Sequence, residues 1–400
     1  MIAAIVASWI AVVLCVSVWA VIRPRTPHAL GPRTLHALGP RARIVVLRPC
    51  AGTEPHLLAA LRSTRHAGPA AVVRLLVADF ADPAWRDARA AAASLAAVAE
   101  DTRVIVTGAR GPNRKADQLA RALARTPPAA DQVVVVADSD VLLDAETLAA
   151  VVDPVALGVL DACWAPPIEI APITTGDRLS KALLEASLHA FPLLSALHPH
   201  GLVGKLFAVR RDALEAVGGF ESLVPFLGED IELGRRLHGA DFKVGVASTC
   251  ACSLAAGRSM KSVLDRYARW LTVIRAQRPW LLPSYPLLFC AAPLQILLAV
   301  AAVASEGWLA ALTLLLALAA RALVAVFARE RAQQPGGVLL WALGADLLLL
   351  AAFVRALTSR QICWRGIALA TRGPNIALAE KEPAVEGLAE EGLAQGREGR

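Results

Sequence analysis

Gln132–Asp140 reads QVVVVADSD, four valines and an alanine that end abruptly in Asp138-Ser139-Asp140. A β-branched run without polar alternation is a strand buried on both faces, as in a parallel sheet covered by helices. Ligands of such sheets sit beyond the carboxyl ends of the strands, where these two carboxylates emerge. Two acids one residue apart repel each other there unless a cation lies between them and a ligand, and hard oxygen donors suit Mg²⁺ or Mn²⁺. Taken alone, the same triplet also reads as an acidic turn ahead of a helix that starts near Asp144.

Working outward, Ile44–Leu47, Val72–Ala78 and Arg103–Thr107 repeat the apolar strand pattern. The first is broken by Arg48-Pro49 and followed by a helix near Pro55–Ser63. The second ends at Asp79-Phe80-Ala81-Asp82-Pro83. The third leads through a Gly-containing turn and Asn113-Arg114-Lys115 into a helix reaching about Arg125. Alternating β and α elements predict an α/β domain over 44–257, three layers around a mostly parallel sheet.

The ends of the chain differ from this middle. Hydrophobic residues make up 56% of the 400, more than a soluble domain normally carries, and the excess sits at the two termini. Residues 1–22 form an uncharged apolar run long enough to cross a bilayer. Without a basic n-region or a small-residue cleavage site it reads as an uncleaved anchor. Arg23, Arg25, Arg33, Arg41 and Arg43 follow, which places the next domain in the cytoplasm. Residues 23–43 are a basic linker that contains TPHALGPR followed by TLHALGPR.

Past the α/β domain, 258–280 is a basic amphipathic helix suited to a membrane surface. Residues 281–360 hold three apolar runs, about 286–304, 308–327 and 338–354. Arg321 and Asp346 lie inside two of them, and their cost in lipid means that they pair, face the bundle or snorkel. A membrane-proximal segment, 361–372, precedes a Glu-, Gly- and Ala-rich tail, 373–400, that reads as disordered. The seven cysteines are scattered and complete no zinc site with histidine. The net charge of +7 clusters near the apolar runs rather than in a stripe, which argues for membrane and against nucleic acid.

Four signals fall in a fixed order: Asp82, then Asp138-Ser139-Asp140, then Gly228-Glu229-Asp230, then Arg266-Tyr267-Ala268-Arg269-Trp270. In this the chain resembles the family-2-type glycosyltransferases of GT-A fold, whose pattern is D, DxD, a later ED, and (Q/R)xxRW. More closely it resembles the ceramide glucosyltransferase group, including the bacterial hopanoid-associated glycosyltransferases. The closer match rests on Val46-Leu47-Arg48-Pro49 with Gly52-Thr53-Glu54-Pro55, Ala81-Asp82-Pro83-Ala84, Asn113-Arg114-Lys115, and Gly218-Gly219-Phe220. The resemblance implies a Rossmann-like GT-A domain with one N-terminal and about three C-terminal transmembrane helices. It also implies a UDP-sugar donor, a divalent metal (Mg or Mn), a membrane lipid acceptor, and a bacterial-type inner membrane with the catalytic domain in the cytoplasm.

The residues support a matching chemistry. A metal held by Asp140 and Asp138 would stabilise the leaving diphosphate, with Asp138 nearer the nucleoside. Asp82, or alternatively Asp79, is placed to meet the uridine. Lys115 and Arg114 are candidate phosphate ligands. Asp230 is the expected general base for an acceptor hydroxyl, with Glu229 tuning or orienting it. Arg266 and Arg269 share a helix face and can grip the diphosphate, while Trp270 packs at the acceptor entrance. A headgroup-binding basic helix is the other reading of this motif. His189, His198 and His200 fall in the acceptor region, and a core or surface role suits them as well. The expected reaction is inverting transfer of a single sugar to a lipid hydroxyl. The alternatives are a processive polysaccharide synthase, for which four spans are few, and a catalytically inactive UDP-sugar-binding membrane protein.

Overall fold

The structure is a computed structural model that describes residues 1–23, 43–67, 71–129, 131–198, 201–255, 257–332, 339–359, 361–364, 367–372 and 375–378. The α/β domain carries β1 (Ile44–Pro49), β2 (Ala71–Val77), β3 (Asp101–Val106), β4 (Val133–Ala137), β5 (Val141–Leu142), β6 (Ala162–Trp164), β7 (Pro167–Ile170), β8 (Leu206–Arg210), β9 (Val244–Val246) and β10 (Ala251–Leu254). Seven of these form the main sheet in the order β3-β2-β1-β4-β8-β6-β9. β3, β2, β1 and β4 are parallel. β8 runs antiparallel to both of its neighbours, and β9 is parallel to β6.

The valine strand is buried on both faces, as its composition requires. Val133, Val135 and Ala137 pack into one hydrophobic core, and Val134 and Val136 into the core on the opposite face. Asp144 caps the next helix, Ala145–Ala156, by accepting from the Thr147 N–H. The expected break at Arg48-Pro49 does not occur. β1 runs through both residues in register with Leu75 and Leu76 of β2. Arg48 is fully buried, and its guanidinium donates to the carbonyls of Asp138 (3.0 Å) and Val141 (2.8 Å). A charge is tolerated mid-sheet because it ties down the turn that follows β4.

A second, three-stranded sheet is ordered β5-β10-β7. It aligns Val141 of β5 and Glu169 of β7 on either side of Ser253. Helix Met260–Gln277 follows, capped by Ser259. Its buried face (Val263, Tyr267, Ala268, Leu271) packs against helices Thr175–Glu185 and Leu339–Thr358.

Helices Ile2–Ile22, Trp308–Glu330 and Trp341–Thr358 are long and apolar enough to cross a membrane. The first expected C-terminal span, about 286–304, is instead a broken pair, Pro279–Phe289 and Ala291–Glu306, bent by 53°, with a π-helical turn at Tyr285–Phe289. Counting it as one span gives four among the described residues. Leu297, Leu315 and Leu347 on these helices remain more than half exposed, as side chains facing lipid tails would be. The chain is therefore read as an integral membrane protein. Arg321 and Asp346 pair with each other, one of the three fates expected for them.

Two expectations need correction. Arg275, one of the charges of the basic helix expected over 258–280 to face a membrane surface, donates instead to the carbonyls of Ala356, Leu357 and Ser359 at the end of the last long helix, where a cation satisfies unpaired carbonyls. Residues 361–378 carry an antiparallel three-stranded sheet, β11 (Gln361–Trp364), β12 (Ile367–Arg372) and β13 (Asn375–Leu378). Ordered structure thus continues past 373, where a disordered tail was expected. The octapeptide repeat and residues 379–400 lie outside the described residues.

Candidate active site

A cleft of about 1070 Å³ opens at the carboxyl ends of β1, β2 and β4. Its wall includes the loops after β1 and β2, Asp138 to Asp140, Gly204 and Lys205, Glu229 and Asp230, and part of helix Met260–Gln277. Asp82, Lys115, Asp138, Asp140, Asp230, Arg266, Arg269 and Trp270 all line this one cavity, as do the secondary candidates Asp79, Arg114, Glu229 and His189.

Asp140 and Asp138 converge on a cation that the sequence did not single out. The Lys205 ammonium lies 2.6 Å from each oxygen of Asp140 and 3.5 Å from Asp138 Oδ2. The second sheet brings further charge to the same spot. Arg258, just after β10, approaches Asp140 to 3.9 Å and pairs with Glu169 at 2.9 Å. Arg266 reaches the same Glu169 oxygen at 2.5 Å. Burial alone would raise the Asp140 carboxyl, but Lys205, Arg266 and Arg258 outweigh it and hold the group at about 2. Asp140 is therefore ionised at any physiological pH. Glu169 is 1% exposed, and it too is held below its ordinary range, the two arginines overcoming its burial.

The opposite wall is wired through Lys115. Its ammonium contacts Asp138 Oδ1 at 2.8 Å, Glu229 Oε1 at 3.1 Å and the Gly204 carbonyl at 2.9 Å. Three acceptors for three donors make this lysine a strut between DSD and GED. Asn113 caps helix Arg114–Ala124 with its oxygen and donates to Glu229 with its amide at 2.8 Å. Gly204 N–H donates to Asp230 Oδ2 at 2.7 Å. A Cβ at Gly204 would sit 3.0 Å from the Lys115 ammonium and 3.1 Å from the Asp230 carboxylate, so a larger residue there would press on both. Burial, reinforced by Glu229 and opposed by Lys115, raises Asp230 to about 6.

Asp82 Oδ1 accepts from the N–H groups of Gly52 and Ala84 at 2.8 and 2.9 Å, which joins the loop after β1 to the helix after β2. At the far end the cleft turns aromatic. The Trp270 ring packs edge-on against Phe191 and Tyr267, and the Arg266 guanidinium lies 4.9 Å from its centre. His189 is buried beside Tyr285, Phe191 and Phe289. Burial lowers its pKa to about 4, so it is neutral at pH 7. His198 pairs with Arg278 at 2.6 Å, while His200 lies outside the described residues.

Two carboxylates that already share one cation make a plausible seat for a divalent one. No group of three His, Cys, Asp or Glu side chains suited to a metal occurs among the described residues. A pair is what Mg²⁺ ordinarily takes from protein when phosphates complete its shell, so Asp138 and Asp140 fit. Lys205, Arg258, Glu169 and Gly204 were not recognised as site residues from the sequence. Gly204-Lys205 is an unremarkable dipeptide ahead of β8, and Glu169 sits in an apolar strand as one buried charge, the single local hint that was available.

Among solved structures, the mannosyltransferase PcManGT from Pyrobaculum calidifontis, in complex with GDP-Man and Mn²⁺, is 18% identical, with 90% of this chain and 99% of that one covered at a TM-score of 0.48. Glucosyl-3-phosphoglycerate synthase from Mycobacterium tuberculosis, in complex with Mg²⁺ and UDP, is 18% identical over 62% of this chain and 85% of that one, at a TM-score of 0.38. Ceramide glucosyltransferase 3 of Caenorhabditis elegans is 32% identical over 82 residues, which span 20% of this chain and 18% of that relative. The profile of Glycosyl transferase family 21 matches residues 1–376, a span that holds the anchor, the whole cleft and the membrane helices, and the chain belongs to that family.

Proposed function

We propose that the chain transfers one sugar, with inversion, from a UDP-sugar to the hydroxyl of a membrane lipid, ceramide-like or hopanoid-like. The observation that carries this reading is the Lys115 link. One ammonium touches both Asp138 and Glu229, so the donor-side acids and the candidate base Asp230 share one cavity.

Asp230 takes the proton of the acceptor hydroxyl as that oxygen attacks the anomeric carbon. A carboxylate near 6 is mostly ionised at neutral pH yet basic enough to be an effective acceptor. The Gly204 N–H fixes which oxygen of Asp230 is turned inward to the backbone. Arg258 and Arg266, held together by Glu169, offer planar donors to the departing diphosphate, with Arg269 beside them on the cleft wall. A divalent cation on Asp138 and Asp140, when bound, neutralises charge on that leaving group. Trp270, Phe191 and Tyr285 give the cleft an apolar end next to the membrane-associated helices, which suits an acceptor that arrives from lipid.

Incubating membranes with a panel of radiolabelled UDP-sugars and extracting the lipids tests this. Label should enter a lipid one sugar at a time; label found only in polymer, or none in lipid with every donor, would sink the reading. Arginines that follow the first span support a domain on the cytoplasmic face of its membrane, and the resemblance to the bacterial members suggests an inner membrane of bacterial type. Labelling of an introduced cysteine at exposed Lys261 by an impermeant reagent in intact cells would overturn that placement.

A further inference from the structure

Lys205 is the cation that contacts both DSD carboxylates, closest to Asp140, while Lys115 approaches Asp138 from the other wall at 2.8 Å. The Lys205 ammonium is 2.6 Å from both Asp140 oxygens and 3.5 Å from Asp138. We infer that Lys205 and a divalent cation are alternative occupants of the Asp138–Asp140 pair, and that the displaced ammonium turns to the diphosphate of the donor. The inference rests on the reading of this pair as the metal seat.

The crowding of charge makes the exchange necessary. Asp140 already faces Lys205, Arg258 and Arg266. A doubly charged ion needs carboxylate oxygens at about 2 Å, where the lysine now bonds. Of the neighbouring cations, Lys115 is held by three acceptors, and Arg258 and Arg266 are anchored on Glu169. Lys205 has the acid pair itself as its anchor, so its side chain is the one that moves. Its backbone stays in place because its carbonyl accepts the Asp138 N–H at 2.9 Å and the next residue begins β8. A released side chain therefore remains on the cleft wall, where the diphosphate would lie.

Two consequences follow. Without metal, Lys205 neutralises two adjacent carboxylates that would otherwise repel. With metal, the freed ammonium lacks a partner until a diphosphate arrives, so metal and nucleotide strengthen each other's binding.

The test uses the full chain in detergent. Mn²⁺ binding is followed from the free-ion electron paramagnetic resonance signal, with and without UDP. Wild type should bind Mn²⁺ weakly alone and more tightly with UDP. Lys205→Met should tighten Mn²⁺ binding without UDP by about tenfold or more, the scale on which groups beside a metal act, and should lose most of the UDP enhancement. Lys205→Arg, which keeps the charge, should stay near wild type. Equal Mn²⁺ affinity in Lys205→Met and wild type overturns the inference and leaves the metal seat standing; no Mn²⁺ binding by either overturns both. Because Lys205→Met removes a counter-ion and could fail to fold, unaltered protein supplies a second measure. Reductive methylation of Lys205, read by mass spectrometry, should rise with Mn²⁺ and fall again when UDP is added. Labelling that Mn²⁺ leaves unchanged also overturns the exchange.

Discussion

Two buried ion clusters in this chain are built on opposite rules. Between the helices Trp308–Ala332 and Leu339–Thr358, Arg321 meets Asp346 through two bonds, at 2.5 and 3.0 Å. Its remaining donors go to the carbonyls of Ala186 and Ala342, and the two side chains are 7% and 2% exposed. One charge cancels one charge, and the bonds are spent internally. In the cleft, Lys205, Arg258 and Arg266 meet Asp138, Asp140 and Glu169, three cations with three acids. The three cations and both aspartates line an open cavity of about 1070 Å³. A closed cluster holds helices together; one that opens on a cavity leaves its charges within reach of a ligand that is not part of the protein.

The contrast is sharpest at Asp230. Asp230→Asn should lower turnover by about a thousandfold, within the range for losing a general base, with UDP binding retained. In wild type, turnover should rise with pH through a limb near 6. The sign follows from the raised value: Asp230 is protonated and inactive below it and ionised above it. The same shift lowers stability as pH rises from the ordinary 3.8 through about 6, because the folded state holds the proton more tightly; below 3.8 there is no such cost. A pH profile flat from 5 to 8, or an active asparagine variant, would remove Asp230 from the chemistry.

Asp140→Asn should lower metal-dependent transfer by about a hundredfold, on the scale of one lost electrostatic stabiliser. Full activity of wild type in chelator would show that the acid pair does not work through metal.

Glu169→Gln should act more mildly, raising the KM for UDP-sugar by about tenfold as Arg258 and Arg266 lose the carboxylate that aligns them. If kcat falls and KM does not, Glu169 serves the fold rather than the arginines.

The bundle pair should answer differently. Asp346→Asn leaves a buried guanidinium without its counter-ion and should cost on the order of 3 kcal/mol of stability, seen as a lower Tm in detergent. Turnover per folded molecule should stay near wild type. Loss of turnover without loss of stability would mean that the two clusters are coupled through the Arg321 bond to Ala186.

Lys261→Ala should do least. The residue is exposed on the helix that carries Arg266, and a surface charge near lipid contributes about 1 kcal/mol to membrane attachment. A large drop in turnover from this change would identify the helix as a headgroup patch first and a diphosphate clamp second.

Local pattern was enough for much of this protein. QVVVVADSD determined a strand buried on both faces with two acids at its end, because side-chain alternation and burial are properties of neighbouring residues. The same holds for the first apolar helix, which spans Ile2–Ile22, and for the start near Asp144 of helix Ala145–Ala156. Asp82, DSD, GED and RYARW line one cavity: the first two lie in loops after β2 and β4, GED opens helix Glu229–Gly239, and RYARW lies within helix Met260–Gln277.

What only the tertiary structure decided are the partners those residues meet. β5, β10 and β7 are far apart in sequence, and their pairing is what sets Glu169 beneath Arg258 and Arg266. Arg48 looked like a strand breaker because a lone charge in an apolar run reads as a turn; only the carbonyls of the next loop reveal why it can be buried. Lys115 read as a free cation until Asp138, Glu229 and Gly204 were found around it. Lys205 had no pattern at all. A charge announces its chemistry in a sequence, but its partner is chosen by long-range pairing, and pairing across the sheet leaves no period for a local reading to find.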